Sequence, residues 1–318
     1  MSDKSNNQGR AYEYICLQIL KETIETNRPT TIIENSSLEA AKKAWQAIPP
    51  KLQKDLRLSA KAAIKTLCTL ELRILEDGSD TLELLIQPDE KGKTGDVRDI
   101  LIVRRDIRWE IGLSLKHNHF AVKHSRLSAQ LDFGQRWFGI ECSQEYWNEV
   151  KPIFDYLDQE TIKGTLWDLI PNKKENIYLP LLNAFMNEIK RSYIKNPTMA
   201  KRLAEYLVGK YDFYKVISID NKRETQIQPV NIKGTLNQPT SSRKSAISIP
   251  LTSLPDRIIA IQIKPASKTT LELYMNNGWQ FNFRIHSAKT KVQSSLKFDV
   301  QAVGIPTTII SINTSWDE

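Results

Sequence analysis

The chain has 318 residues, with 45 Lys and Arg against 37 Asp and Glu, a formal net charge of +8. Apolar residues at 40% and charged residues at 26% exclude a collagen, a disordered tail and a coiled coil. The length allows about two domains of roughly 150 residues each. Three scattered cysteines, Cys16, Cys68 and Cys142, supply neither a disulfide framework nor a zinc site, so a reduced cytoplasmic protein is expected. The polar N-terminus lacks the apolar run of a signal peptide, and the charge-free stretch 300–316 is too polar for a membrane span, so no membrane partner is expected. The basic balance points to an anionic partner, nucleic acid first.

Apolar spacing predicts a helix over 10–25, with Tyr12, Ile15, Cys16, Ile19 and Leu20 on one stripe. Ser36-Ser37 followed by Glu39 opens a second over 38–48, and a third runs over 52–69. Alternation at period two then predicts strands over 70–74 and 82–86, joined as a hairpin by the turn cluster 76–80. A polar loop over 88–95 leads to strands over 99–103 and 109–116, joined by the charged connection 104–108. Helical spacing returns over 145–157, 177–193 and 198–208. From Tyr211 onward short alternating runs predict β-structure, with an exposed loop at 237–242. The chain therefore divides into 1–140, 141–210 and 211–318.

The hairpin over 99–116 gathers the chemistry. If residue 104 faces 109, Asp99 sits opposite Ser114, and Lys116 is its diagonal neighbour on the same face. A carboxylate there can hold a hard divalent cation, Mg²⁺ by preference, and a lysine beside it can orient or deprotonate a water poised against a phosphate. Residues 91–130 hold nine Lys and Arg against four acids, so the charge excess is concentrated around this hairpin. Three of the four histidines, His117, His119 and His124, follow directly, without the ligand spacing of a zinc site. Lys123 and Arg126 are candidates for phosphate contacts.

Gly95-Asp96-Val97-Arg98-Asp99, a strand, then Ile111-Gly112-Leu113-Ser114-Leu115-Lys116 resembles a PD-(D/E)xK nuclease core. The longer strings Lys123-His124-Ser125-Arg126-Leu127-Ser128, Asp132-Phe133-Gly134 with Trp137, Asn277-Gly278-Trp279-Gln280, Phe283-Arg284-Ile285-His286 and Leu296-Lys297-Phe298-Asp299 resemble the HaeIII-type type II restriction endonucleases. The resemblance implies an α+β protein: a PD-(D/E)xK-like core of mixed sheet flanked by helices (1–140), a helical middle segment, and a β-rich C-terminal region as candidate DNA-recognition region. It implies Mg²⁺-dependent double-strand cleavage of DNA within GGCC, leaving blunt ends with 5′-phosphates, as part of a restriction-modification system. A cognate methyltransferase would act on the same site without needing to bind the nuclease. A palindromic target suggests a homodimer, a monomer nicking each strand in turn being the alternative.

Two positions depart from the core pattern. Arg98 replaces the proline, and Ser114 replaces the acid. The catalytic candidates are thus Asp99, Lys116 and Ser114, and the second carboxylate for the metal must come from Glu13 on the first helix or from Asp96 in the loop. Nucleases of this resemblance often recruit an acid from that helix. In the C-terminal region Trp279, Phe281 and Phe283 alternate with Gln280, Asn282 and Arg284, which predicts a core face and a polar face. Arg284 suits bidentate contact with guanine, and Asn282 and Gln280 suit base edges or phosphates. The competing reading is a sequence-specific DNA-binding protein without catalysis, for which Ser114 is the best argument; an RNA-binding protein is a third.

Overall fold

The computed structural model describes residues 2–118 and 121–317. Two sheets, each with helices on one face, carry the fold. The first part of the chain gives α1 (Ser2–Ile24), β1 (Thr30–Ile32), α2 (Ser36–Ala47), α3 (Pro50–Leu70), β2 (Leu82–Ile86), β3 (Ile100–Arg104), β4 (Trp109–His117) and β5 (Ala121–Ser128). The middle gives α4 (Phe133–Phe138), α5 (Gln144–Lys163), α6 (Leu179–Lys195) and α7 (Met199–Val208). The remainder gives β6 (Phe213–Ile219), β7 (Glu224–Val230), β8 (Ile258–Ile263), β9 (Thr270–Met275), β10 (Gln280–His286), β11 (Ser295–Gly304) and β12 (Ile312–Ser315).

The first sheet has the order β1-β2-β3-β4-β6-β7-β12. It is mixed, with parallel pairing of β1 to β2 and of β4 to β6. Its buried face carries Leu113, Leu115, Val216 and Ile227, packed on Tyr12, Ile15, Leu56 and Ile64 of α1 and α3. The second sheet, β5-β11-β10-β9-β8, is antiparallel throughout. Its inner face buries Phe281, Phe283 and Phe298 against α4, α6 and α7. Phe133 lies 4.7 Å from Phe185, and Trp137 stacks on Tyr206 at 5.0 Å between ring centroids. The mixed α+β architecture expected from the sequence is the one observed.

Local signals act as expected at several helix ends. Asn35 caps α2 by accepting the Leu38 N–H at 2.8 Å, and prolines 49 and 50 open α3. The strand expected over 70–74 does not form. Helix α3 runs to Leu70 and a single 3₁₀ turn follows over Leu72–Ile74. Leu67, Leu70 and Ile74 are buried, so the spacing that decides is three and four, and the alternation of Leu70, Leu72 and Ile74 is incidental. The hairpin expected over 70–86 is absent too: β2 pairs with β1 and β3. The division at 140 and 210 is cut across by both sheets. Strands β6, β7 and β12, expected with the recognition region, complete the first sheet, whereas β5, expected with the core, begins the second.

Glu71, at the end of α3, is fully buried and ties this junction to the C-terminal third. Its Oε1 accepts the Tyr214 hydroxyl and the Asn237 N–H, each at 2.6 Å. Burial pushes its carboxyl from 4.5 up to about 7, the two hydrogen bonds opposing. Between those values the folded chain keeps a proton that the unfolded chain has released, so stability falls as pH rises through this window and is level above it. The expected loss is about 3 kcal/mol at most. In urea denaturation from pH 4 to 8, Glu71→Gln is expected to lack this slope; parallel wild-type and variant curves would contradict it.

Candidate active site

The hairpin of β3 and β4 has the register expected from the sequence, with Ile100 facing Leu113 and Arg104 facing Trp109. Asp99 lies one step beyond and donates its N–H to the Leu113 carbonyl at 2.7 Å. It therefore shares the sheet face of Ser114 and Lys116, while Leu113 and Leu115 point to the helices. Asp99 Oδ2 accepts from the Leu115 N–H at 2.6 Å and from Lys116 Nζ at 3.3 Å. Lys116 Nζ also donates to the Leu115 carbonyl at 3.0 Å. Both side chains are about one-quarter exposed, so the pair is fixed and still within reach of solvent.

Helix α1 crosses the other face of β4 and brings Glu13 to this end of the strand. Burial, then the Asp99 carboxylate, pushes the Glu13 carboxyl up to about 8; Lys116 and Arg10 oppose. A divalent ion held by the two carboxylates would relieve the cost that Asp99 imposes on Glu13. Mg²⁺ needs no more, because it binds through one or two carboxylates and keeps several waters.

The structure separates the two acids offered as the second ligand. Asp96 is turned away from Asp99 and is nearly buried. Its Oδ1 and Oδ2 accept from Arg98 Nε and Nη2, both at 2.8 Å, and Arg98 Nη1 reaches Glu110 at 2.7 Å. Arg98 lies flat over Gly112, where any side chain would strike it, and its guanidinium stacks on the Tyr211 ring at 4.3 Å. Asp96 and Glu110 thus neutralise Arg98, and the carboxylate of Asp96 is committed to that pair. Ser114 is buried on the cleft face, directly opposite Lys215 of β6.

Past Lys116 the chain leaves the first sheet. His117 turns inward and bonds Asp220 through Nε2 at 2.8 Å, and Asn118, at φ +51°, accepts the Asp220 N–H, so this corner is a fold contact. His119 lies outside the described residues. In β5 the alternation sets direction. Lys123 pairs with Val300 on the inner face, and its Nζ donates to the carbonyls of Gly92 and Tyr206 at 2.8 and 2.9 Å, 3.8 Å above the Tyr206 ring. Burial pushes it down to about 8. The expectation that Lys123 faces phosphate is corrected: it is an internal tether between the 89–94 loop and α7.

His124 and Arg126 point outward, on the polar face of the second sheet. Across β5, β11 and β10 the register aligns His124, Asp299 and Arg284 in one row and Arg126, Lys297 and His286 in the next. Arg126 Nη1 donates to Ser295 Oγ at 2.9 Å, and Arg284 Nη2 stands 3.6 Å from Asp299 Oδ2. Asn282 and Gln280 continue the same face of β10, half-buried, with Trp279, Phe281 and Phe283 beneath. The expected alternation of β10 is the observed one.

A profile of the HaeIII restriction endonuclease family matches residues 9–306. The chain is 49% identical to the type II restriction enzyme HaeIII of Haemophilus aegyptius over the full length of both. This chain belongs to the HaeIII restriction endonuclease family. It is a type II site-specific endonuclease, and DNA is its substrate. Enzymes of this type generally need a divalent metal ion. The readings as a non-catalytic DNA-binding or an RNA-binding protein are thereby set aside. No solved structure matches the chain. Among the described residues, no helix is long and apolar enough to cross a membrane.

Proposed function

We propose that this endonuclease makes Mg²⁺-dependent double-strand cuts within GGCC, leaving blunt ends with 5′-phosphates, at a site formed by Asp99, Lys116 and Glu13. The observation that carries the site is Asp99 Oδ2, bonded by the Leu115 N–H and facing Lys116 Nζ at the open end of one hairpin. The sequence GGCC, the blunt ends and the choice of Mg²⁺ rest on the resemblance to the family. Asp99 and Glu13 would hold the ion. Bound there, it supplies charge stabilisation to the phosphate under attack.

The chain's own residues do the rest. Lys116 orients a water in line with the scissile P–O3′ bond. The water oxygen bonds to phosphorus as the P–O3′ bond breaks. The 3′ oxygen leaves as a hydroxyl, and the water's other proton passes to solvent. Ser114 adds a hydroxyl on the same face and no charge. The polar face bearing His124, Arg126, Arg284, Asn282 and Gln280 is the proposed contact surface for duplex DNA, with the arginines as phosphate or guanine contacts. A palindromic target fits two copies related by a two-fold axis. A cognate methyltransferase would act on the same site without binding this chain. Its free cysteines, all buried, accord with a cytoplasmic setting.

Digestion of plasmid DNA with Mg²⁺ and with EDTA, followed by mapping of the ends, tests the proposal. Discrete blunt cuts at GGCC in Mg²⁺ alone are expected. Cuts at another sequence would remove the GGCC assignment, and cuts in EDTA would remove the metal.

A further inference from the structure

The parallel pairing of β4 with β6 places a polar row next to Asp99 that the sequence did not suggest. Ser114 faces Lys215, and Lys215 faces Gln228 of β7. The apolar neighbours of Lys215 on this sheet face are Phe213, Ile217 and Val230. Lysine is an uncommon residue in the middle of a central strand.

The row lines a cleft between the two sheets. The cleft also receives Lys116 and is closed opposite by Trp279 and Ile309. All its other lining residues are apolar except Ser114 and Gln228. Lys215 thus stands in an apolar-walled cleft beside the Asp99–Lys116 pair, where low dielectric strengthens the field that its ammonium offers an anion. Burial, then the Lys116 ammonium, pushes Lys215 down to about 8, and an entering anion would favour its charged form. The serine at position 114 matters here. The general motif has an acid at this place, which would set a negative charge directly against Lys215; Ser114 adds none.

We infer that Lys215 is a second cationic contact to the phosphate that is cut, donating to a non-bridging oxygen from the strand next to Lys116. It forms no covalent bond in the reaction. Its ammonium offsets charge building on the phosphate where a more acidic site would use a further cation. The inference rests on the nuclease site proposed above.

The test uses the full-length protein and two duplexes containing GGCC, one natural and one with a neutral methylphosphonate at the scissile position. Binding is read by fluorescence anisotropy in EDTA over a range of KCl. Wild type is expected to bind the methylphosphonate duplex about tenfold more weakly. In Lys215→Met that penalty should shrink at least about threefold, and the salt slope on the natural duplex should fall by about 0.9. Lys215→Arg should restore both. Lys215→Gln serves as a second, polar variant with the same expectation as methionine. Single-turnover cleavage in Mg²⁺ should drop about 10²-fold in Lys215→Met and recover in part with arginine. A merely structural lysine would change stability and leave the methylphosphonate penalty as in wild type. That unchanged penalty in both neutral variants, with wild type cutting at GGCC, overturns the Lys215 assignment alone. Wild type that cuts no DNA in Mg²⁺ overturns the underlying site reading, and this inference with it.

Discussion

Replacing Lys116 by methionine is expected to slow single-turnover cleavage of a GGCC duplex about 10³-fold, with duplex binding changed by less than about fivefold. Methionine keeps the length of the side chain along β4 and removes only the ammonium. That group has two partners, Asp99 Oδ2 and the Leu115 carbonyl, and neither is left buried without a bond. Asp99 keeps the Leu115 N–H at 2.6 Å, and the Leu115 carbonyl lies in a sheet. The ion pair itself is partly exposed, and such pairs contribute at most about 1 kcal/mol to stability. The melting temperature should therefore barely move. Asp99→Asn should lose cleavage to a similar extent and fold as well, because an amide oxygen still accepts the Leu115 N–H. The two variants differ in Mg²⁺ dependence: Lys116→Met retains the wild-type midpoint for any residual activity, and Asp99→Asn needs more metal. Cleavage by Lys116→Met within tenfold of wild type would remove Lys116 from the reaction.

The core of this site was legible because it is local. A short connection between two short alternating runs allows one register, and the register sets Asp99 beside Lys116. Other features depended on contacts far apart in the chain. Strand β1 is three residues long and has no pattern of its own; it exists because Ile33 and Leu82 bond across to their partners. Lys215 sits in an apolar run that reads as an interior strand, and only the parallel pairing with β4 turns it toward Ser114. Lys123 was misread for a different reason. Its neighbours His124 and Arg126 advertise a basic face, yet Ser125 and Leu127 on the other parity are buried, and Lys123 shares that parity. Period two, applied through the basic cluster, separates the outward pair from the inward lysine.

The sequence favoured Glu13 over Asp96 as the second carboxylate, and the structure makes the two opposite in consequence. Asp96 is half of a buried, two-point pair with Arg98, which is also held by Glu110 and packed over Gly112. Removing its charge leaves a guanidinium short of its main partner in the interior, so Asp96→Asn is expected to lose about 3 kcal/mol of stability. Cleavage by the molecules that remain folded should stay within tenfold of wild type. Among the described residues Glu13 has no such pair. Burial and Asp99 hold its carboxyl high, so its negative charge is a cost to the metal-free fold. In that state its stabilising protonated form persists at low pH and is lost as pH rises from about 4.5 toward about 8. Glu13→Gln removes that loss, so in EDTA at pH 8 the variant should be at least as stable as wild type. The same substitution takes away one of the two oxygen ligands proposed for the ion. Its cleavage should fall about 10²-fold at fixed Mg²⁺, and the Mg²⁺ midpoint should rise at least about tenfold. Thermal melts and Mg²⁺ titrations of the two variants side by side decide the matter. A stable, inactive Glu13→Gln beside an unstable, active Asp96→Asn is the expected pattern, and the reverse pattern would move the second carboxylate to the loop.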